Sequence, residues 1–68
     1  MPNPTYKKIE IVGTSPASFA KACQNAVDKA SGSLHGLDWF EVTELRGRIE
    51  KGKIVQYQAS MKVGFRLD

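Results

Sequence analysis

The residue with the clearest chemical use is Trp39, the only tryptophan among 68 residues. It lies within residues 37–47, where apolar and polar side chains alternate as they do in a β-strand. Trp39 falls on the face opposite Phe40 and Val42, so if those two face the core, the indole faces away from it. An exposed indole is a flat, electron-rich surface suited to stacking an aromatic ligand. Burial in the core or in an interface is the alternative.

Three polar residues elsewhere on the last two predicted strands are candidates for a binding role. Gln58 carries a donor and acceptors that suit the edge of a ligand, although a solvent-facing strand position is the ordinary explanation for such a residue. Arg46 and Glu44 are expected to pair at a surface or an interface. Glu41 and Glu44 are predicted to point to opposite faces of the strand, which argues against shared acid–base chemistry.

No arrangement typical of an enzyme or a metal site is visible in the sequence. His35 is the only histidine and is predicted to lie solvated in a loop, while Cys23, the only cysteine, is predicted to be an inert core residue. One cysteine and one histidine exclude an internal disulfide and an ordinary structural zinc site. A glycine-rich phosphate loop is also missing. We therefore expect a protein that is not an enzyme.

The chain is short enough that its own core gives little stability. We treat residues 1–68 as one domain with a flexible leader at residues 1–5, and a domain this small buries only about 60% of its unfolded surface. Self-association is the remedy that remains. The net charge of +3 and the pI near 9.3 are compatible with a polyanionic ligand, but the basic residues are scattered. No apolar run resembles a leader or a bilayer span, so we expect a cytoplasmic protein without a membrane partner.

The hydrophobic pattern predicts the element order strand, helix, strand, strand. Strand one covers residues 6–12 and ends at Gly13. Ser15 is predicted to cap the helix, with Pro16 at the first helical position and the end near Ser31. Residues at three- and four-residue spacing form one apolar stripe on this helix: Phe19, Cys23, Ala26, Val27 and Ala30.

The last two strands are predicted to form a hairpin. Strand two covers residues 39–49, and the turn at residues 50–53 contains Gly52, which tolerates positive φ. Strand three alternates without a break up to Leu67. Counting from a Glu50–Lys53 pair gives the other pairs: Trp39–Gly64, Phe40–Val63, Glu41–Lys62, Val42–Met61, Thr43–Ser60 and Leu45–Gln58. In this register Gly64 leaves open space beside the indole.

These elements define a small α+β domain, with one helix packed on a three-stranded antiparallel sheet. The strands are longer than the helix, so the hairpin is predicted to overhang it and to need cover from a neighbouring subunit. The inner face of this overhang is predicted to carry Arg46, Arg48, Val55 and Tyr57. Trp39 and Gln58 share the outer face about 20 Å apart, so a site containing both needs strong sheet curvature or two subunits.

Several blocks of the sequence, in order and spacing, resemble the dodecin family of flavin-binding proteins. The resemblance covers nearly the whole chain. The blocks that carry it are residues 6–16, 37–42, 45–47, 57–58 and 62–67.

The resemblance implies β-α-β-β subunits wrapped around their helices in a hollow homododecamer that binds and stores flavins such as riboflavin, FMN or FAD. Two isoalloxazine rings stack between symmetry-related tryptophans, a position that Trp39 matches. Gln58 matches the glutamine that bonds the pyrimidine edge. Arg46 matches an arginine associated with ion pairing near the pocket and with phosphorylated flavin, and we group Glu44 with it. Some bacterial members also hold coenzyme A, for which the candidate contacts here are Tyr6, Lys8, Lys29, Ser33 and Arg66.

Two other functions stay open from the residues alone. A small basic nucleic-acid-binding module would use the exposed face of the sheet, but the scattered charges argue against a nucleic-acid partner. A redox enzyme would use a bound flavin for turnover. The lack of a recognisable proton donor beside Trp39 in the sequence argues against this second alternative.

Overall fold

The computed structural model describes residues 3–67, which form a three-stranded antiparallel sheet with a helix on one face. The elements are β1 (Thr5–Ser15), α1 (Phe19–Ser31), β2 (Leu37–Glu50) and β3 (Lys53–Leu67). Strand β3 lies in the middle, in the order β1-β3-β2. The predicted β-α-β-β topology is confirmed. Of the predicted leader, residues 1–2 lie outside the described part of the chain, and Thr5 already belongs to β1, where it pairs with Leu67.

Strand β1 extends beyond the glycine that was predicted to end it. Gly13 pairs with Ala59 inside the sheet, and the strand continues to Ser15. A Cβ atom at Gly13 would overlap the carbonyl oxygen of Ala22 and lie 2.7 Å from Ala26 Cβ. The glycine is therefore a packing position that lets the helix backbone approach the sheet, and the prediction of a strand end was wrong.

The helix begins three residues later than predicted. Ser18 is the N-cap, because its backbone is extended and its Oγ accepts a hydrogen bond from the Lys21 amide at 2.9 Å. Ser15 is held in the sheet by its pairing with Tyr57, and its Oγ accepts instead from the Ala17 amide at 2.9 Å in the connecting loop. Pro16 thus precedes the helix. The predicted end at Ser31 is confirmed.

A row of alanines lets the helix pack closely on β1 and β3. The buried helix residues are Ala22, Ala26 and Ala30, and Met61 and Val63 of β3 lie beneath them. The predicted apolar stripe thus included two of these buried residues, Ala26 and Ala30, and missed the third, Ala22. Its other members lie at the margin of the core: Cys23 and Val27 are half-buried, and Phe19 meets Tyr57 edge-on with ring centroids 4.9 Å apart.

The hairpin turn has the geometry that the sequence predicts. Glu50 pairs with Lys53, and the two residues between them, Lys51 and Gly52, have φ angles of 52° and 76°. Two successive residues with positive φ define the type I′ turn, whose twist matches that of antiparallel strands. The four predicted pairs nearest Trp39 are also confirmed.

The middle of the hairpin has a different register, because each strand contains an extra residue. Glu44, not Thr43, pairs with Ser60, and Leu45 pairs with Ala59, so Thr43 is extra in β2. Its Oγ1 donates to the Ser60 carbonyl oxygen at 3.2 Å, which satisfies the hydroxyl within the interrupted ladder. Nearer the turn, Val55 is extra in β3, between the pairs Arg48–Gln56 and Ile49–Ile54. The two bulges offset each other, so the register agrees with the prediction at both ends.

This change of register reverses the faces of several residues. Arg46 pairs with Gln58 and Arg48 with Gln56, which places both arginines on the outer face and not on the inner face as predicted. Glu44 lies on the outer face too, so the prediction that it opposes Glu41 was wrong. The bulge is the physical reason, because one extra residue inverts every side chain that follows it.

The hairpin overhangs the helix, as predicted, and leaves apolar surface uncovered. The molecule is 53 Å long, whereas a helix of 13 residues spans about 20 Å. Because the helix packs on β1 and β3, the residues of β2 after Leu37 are all exposed. Phe40, Val42 and Leu45, on the helix side of β2, are 51%, 42% and 55% exposed. No helix within residues 3–67 is long and apolar enough to span a bilayer.

Candidate functional site

The indole of Trp39 lies flat on the backbone of Gly64, its partner on β3. A Cβ atom at Gly64 would lie 2.6 Å from Cη2 of the indole and would overlap Cε2 and Cζ2. The space that the glycine leaves is thus filled by the indole itself. Trp39 is still 39% exposed. Because Gly64 covers one face of the ring, this exposure belongs to the opposite face and to the free edges, which makes a flat apolar platform on the outer face of the sheet.

The aromatic ring of Tyr6, on β1, lies beside the indole. The two ring centroids are 5.9 Å apart, and the planes are tilted by 54°. The phenol of Tyr6 donates a hydrogen bond to Oδ2 of Asp38 at 2.8 Å. The prediction that no proton donor lies beside Trp39 was therefore wrong, because β1 places this hydroxyl next to β2 from far along the chain. This hydrogen bond is the main reason that the pKa of Tyr6 is raised above its ordinary value, and the charge of Arg66 opposes the shift.

An ion pair lies on the other side of the indole along the sheet. Lys8 of β1 reaches across β3 to Glu41 of β2, with Nζ 3.0 Å from Oε1. The side chains are 48% and 51% exposed. Exposed pairs of this kind contribute about 0–1 kcal/mol. The ion pair therefore borders the platform without contributing much to the stability of the sheet.

A second polar cluster surrounds Gln58 further along the same face. Arg46 Nη2 lies 2.5 Å from Glu44 Oε1, and Arg46 Nη1 donates to Gln58 Oε1 at 3.5 Å. The amide nitrogen of Gln58 donates to Gln56 Oε1 at 2.9 Å. The Arg46–Glu44 ion pair expected from the sequence is present. Gln56 is a member of this cluster that the sequence did not indicate.

The structure does not bring the two clusters together within one chain. Gln58 lies six residues before Gly64 on β3, and Gly64 is the partner of Trp39. At about 3.3 Å per residue, this separation is about 20 Å along the strand. The observed register preserves the predicted separation, because the bulge at Thr43 lies in β2 and leaves β3 unchanged between these positions.

The candidate coenzyme A contacts also fall into two groups. Tyr6 and Arg66 are paired neighbours on the outer face, and Lys8 pairs with Gly64 beside them. Lys29 and Ser33, by contrast, line a cavity of about 240 Å³ between the helix and β1, on the inner side of the sheet. One chain therefore does not present all five residues to one small ligand.

Other sites suggested by residue type receive little support. Within residues 3–67, no group of three or more His, Cys, Asp and Glu side chains could hold a metal ion. His35 is exposed, and Cys23 is half-buried between the helix and β2. Asp38, like Gln56, is a site residue that the sequence analysis missed. Its position directly before the tryptophan was the only available signal, because the alternating pattern does not show the bulge that contains it.

Comparison with known proteins agrees with the geometry described above. The family model for dodecin matches residues 5–68, and the chain is 48% identical over 63 residues to the dodecin of Thermus thermophilus, covering 93% of this chain and 91% of that one. The solved dodecin of Streptomyces coelicolor superposes with a TM-score of 0.95 at 51% identity, covering 100% of this chain and 97% of the other. The chain belongs to the dodecin family.

Two further relatives, one of similar identity and one more distant, belong to the same family. The structure of dodecin from Streptomyces davaonensis gives a TM-score of 0.93 at 53% identity, with 97% of each chain covered. A protein named calcium dodecin, from Mycobacterium tuberculosis, is 31% identical over 62 residues, which cover 91% of this chain and 87% of that protein. The similarity spans the whole described fold, including the strand that carries Trp39.

Proposed function

We propose that this chain is a non-enzymatic flavin-binding and storage protein. In the proposed assembly, a homododecamer, two isoalloxazine rings stack between the Trp39 side chains of two subunits. The observation that carries the proposal is the indole held flat on Gly64 with its opposite face uncovered. An aromatic side chain that is fixed on one face and bare on the other is arranged to accept a second flat ring.

Stacking supplies affinity, and it also explains storage. Each ring face in contact contributes about 1–3 kcal/mol, by analogy with base–aromatic stacking. Electron transfer from the electron-rich indole quenches an excited flavin in close contact with it. A bound flavin is thereby protected from its own photochemistry, which suits a storage protein better than a catalyst.

A second subunit is needed to complete the site. Trp39 and Gln58 are about 20 Å apart along one chain, so a flavin stacked on one indole meets a glutamine only if another copy supplies it. The exposed apolar side chains Phe40, Val42 and Leu45 provide surface for such association. These features support an obligate oligomer, in which the binding site and the interface are built together.

The polar cluster is proposed to recognise the rest of the ligand. The Gln58 amide offers a donor and acceptors to the pyrimidine edge, in exchange for its hydrogen bonds to Arg46 and Gln56. Arg46 attracts the phosphate of FMN, and Glu44 holds the guanidinium in place. Coenzyme A is a secondary proposal, and it requires two subunits, because its candidate contacts lie on opposite sides of one sheet.

Flavin titration of the apo protein, with fluorescence and native mass spectrometry, tests the proposal. We expect almost complete quenching of FMN or riboflavin on binding, two flavins per pair of subunits, and a twelve-subunit mass. Trp39→Ala should abolish tight binding and retain the assembly. Ile49→Ala is the matched control, because this exposed side chain lies near the hairpin turn, far from the indole.

Three results would contradict the proposal. These are a monomeric protein, unchanged flavin affinity in Trp39→Ala, or turnover of NAD(P)H by the loaded protein. Binding of a nucleic acid that weakens steeply with salt and ignores the Trp39 substitution would favour the nucleic-acid-binding alternative instead.

A further inference from the structure

A side-chain hydrogen bond joins the two edge strands of the sheet next to the indole. Tyr6 belongs to β1 and Asp38 to β2, and the phenol donates to Asp38 Oδ2 at 2.8 Å. Strand β3 lies between them, and its Arg66 is the backbone partner of Tyr6. Because adjacent strands are about 4.8 Å apart, this bond connects strands whose backbones are about 10 Å apart and make no ladder with each other.

Asp38 reaches Tyr6 because it occupies a bulge. Leu37 pairs with Phe65 and Trp39 pairs with Gly64, so β2 has one residue more than β3 at this point, and that residue is Asp38. A bulged residue leaves the regular alternation and directs its side chain elsewhere. Asp38 is also the residue directly before Trp39, so a bond that fixes Asp38 fixes the backbone from which the indole projects.

The ring of Tyr6 acts on the indole from the side. The two ring centroids are 5.9 Å apart, and the hydrogen bond to Asp38 determines where the phenol ring can lie. Gly64 lies beneath the indole and blocks movement toward the sheet. The exposed Lys8–Glu41 ion pair borders the opposite side of the indole, so on this side the position of the ring depends on Tyr6 and on the backbone at Asp38.

We infer that the Tyr6–Asp38 hydrogen bond positions the Trp39 indole on Gly64 and thereby sets flavin affinity without contacting the flavin ring. Tyr6 and Asp38 are positioning residues in this scheme. The part that concerns flavin rests on the proposed function. The part that concerns the indole applies to the protein without ligand and is testable there.

The experiment compares four single variants and the Tyr6→Phe/Asp38→Ala double variant, in the apo protein and in the presence of FMN. Tyr6→Phe removes the hydroxyl but keeps the ring, Asp38→Ala removes the acceptor, and Asp38→Asn keeps an acceptor oxygen. Glu41→Ala is the matched control, because it removes the acceptor of the other side-chain bridge over β3. The two readouts are the near-UV circular dichroism of the single indole and the dissociation constant of FMN.

We expect Tyr6→Phe and Asp38→Ala to weaken the indole signal by similar amounts and to raise the FMN dissociation constant about 3- to 10-fold. The double variant should lose no more than either single variant, because both remove the same bond. Asp38→Asn should retain most of both signals, and Glu41→Ala should match the wild type.

Several outcomes would overturn the inference. One is an unchanged indole signal in both Tyr6→Phe and Asp38→Ala, and another is additive losses in the double variant. A loss in Asp38→Asn equal to that in Asp38→Ala would assign the effect to charge. If Tyr6→Phe and Asp38→Ala lose their fold or their native mass while the control variant does not, the hydrogen bond stabilises the fold and does not specifically position the indole. If the wild type does not bind FMN, the proposed function fails, and the indole signals still decide the positioning role.

Discussion

Trp39 and Gly64 face each other across β2 and β3, and the indole covers the place where any other residue would carry its side chain. The glycine is therefore part of the platform. The contact fixes the height of the indole above the sheet. In the proposed assembly, it thereby sets the width of the gap between two symmetry-related indoles.

Gly64→Ala tests this contact directly. The added Cβ would lie 2.6 Å from Cη2 of the indole, so the ring must lift or swing away. We expect the affinity for FMN to fall about tenfold or more, with a changed near-UV circular dichroism of the apo protein. Gly32→Ala is the matched control, because Gly32 has an ordinary φ of −71° and its nearest neighbour, Lys29 O, is 3.4 Å from the added carbon. Equal affinity in both variants would refute the role assigned to Gly64.

Arg46→Ala separates recognition of the phosphate from recognition of the ring. Its guanidinium contacts Glu44 and Gln58 on the outer face, well away from the indole of the same chain. We expect the dissociation constant of FMN to rise about tenfold or more, since a charged hydrogen bond is lost. Riboflavin, which lacks the phosphate, should bind almost as before. The measurement is a pair of fluorescence titrations with the two flavins.

The control for this prediction is Arg48→Ala. Arg48 is on the same face and pairs with Glu50, nearer the turn, so its loss should leave both flavins unaffected. An equal loss of FMN and riboflavin in Arg46→Ala would mean that this arginine acts on the structure of the site and not on the phosphate.

The turn between β2 and β3 offers two substitutions with opposite signs. Lys51 has a φ of 52°, which costs a non-glycine residue energy, whereas asparagine tolerates it. Lys51→Asn should therefore raise the free energy of unfolding by about 0.5 kcal/mol. Gly52→Ala should lower the free energy of unfolding by about 1 kcal/mol, because Gly52 has a φ of 76°, which is unfavourable for alanine. An added Cβ would meet nothing within 4 Å, so this loss comes from the backbone conformation and not from a clash. Urea unfolding at one fixed protein concentration measures both changes.

We expect the stability of the folded chain to change at alkaline pH because of the phenol of Tyr6. Its pKa lies above the ordinary value of 10.0, because the hydrogen bond to Asp38 favours the protonated phenol. The folded chain therefore gains stability from this group fully below pH 10, and the gain is lost as the pH rises through the raised pKa. NMR titration of labelled tyrosine should show this, and Asp38→Ala should return the pKa of Tyr6 toward 10.0. A titration of Tyr6 that ignores this substitution would contradict the assignment.

The sequence predicted the elements and the faces of the strands near Trp39, because alternation and helical spacing depend on local burial alone. The middle of the hairpin was predicted wrongly for a different reason. Thr43 and Val55 become extra residues through ladder geometry, which no periodic pattern records. Arg46 was thereby placed on the inner face, although it lies beside Gln58 on the outer one.

The helix start and Gly13 were also beyond reach of local patterns. Ser15 and Ser18 have equal intrinsic capacity to cap, and the choice between them follows from how far β1 stays paired with β3. In the sequence, Gly13 indicates the end of a strand. Its role in the structure depends instead on how closely the helix backbone approaches it. The Tyr6–Asp38 bond was hidden for the same reason, because its partners are 32 positions apart.

The paired bulges at Thr43 and Val55 have a consequence for shape. Removing both residues would leave a ladder that is unbroken from Trp39 to the turn. Arg46, Leu45 and Arg48 would keep their present faces, so the two extra residues are not needed for orientation. What they add is local twist and bending of a long two-stranded arm. In the proposed homododecamer, the number of copies that closes the shell depends on the angle between neighbouring subunits. The double deletion should therefore give a straighter hairpin whose side chains keep their present faces. We expect the assembled particles to have a different diameter.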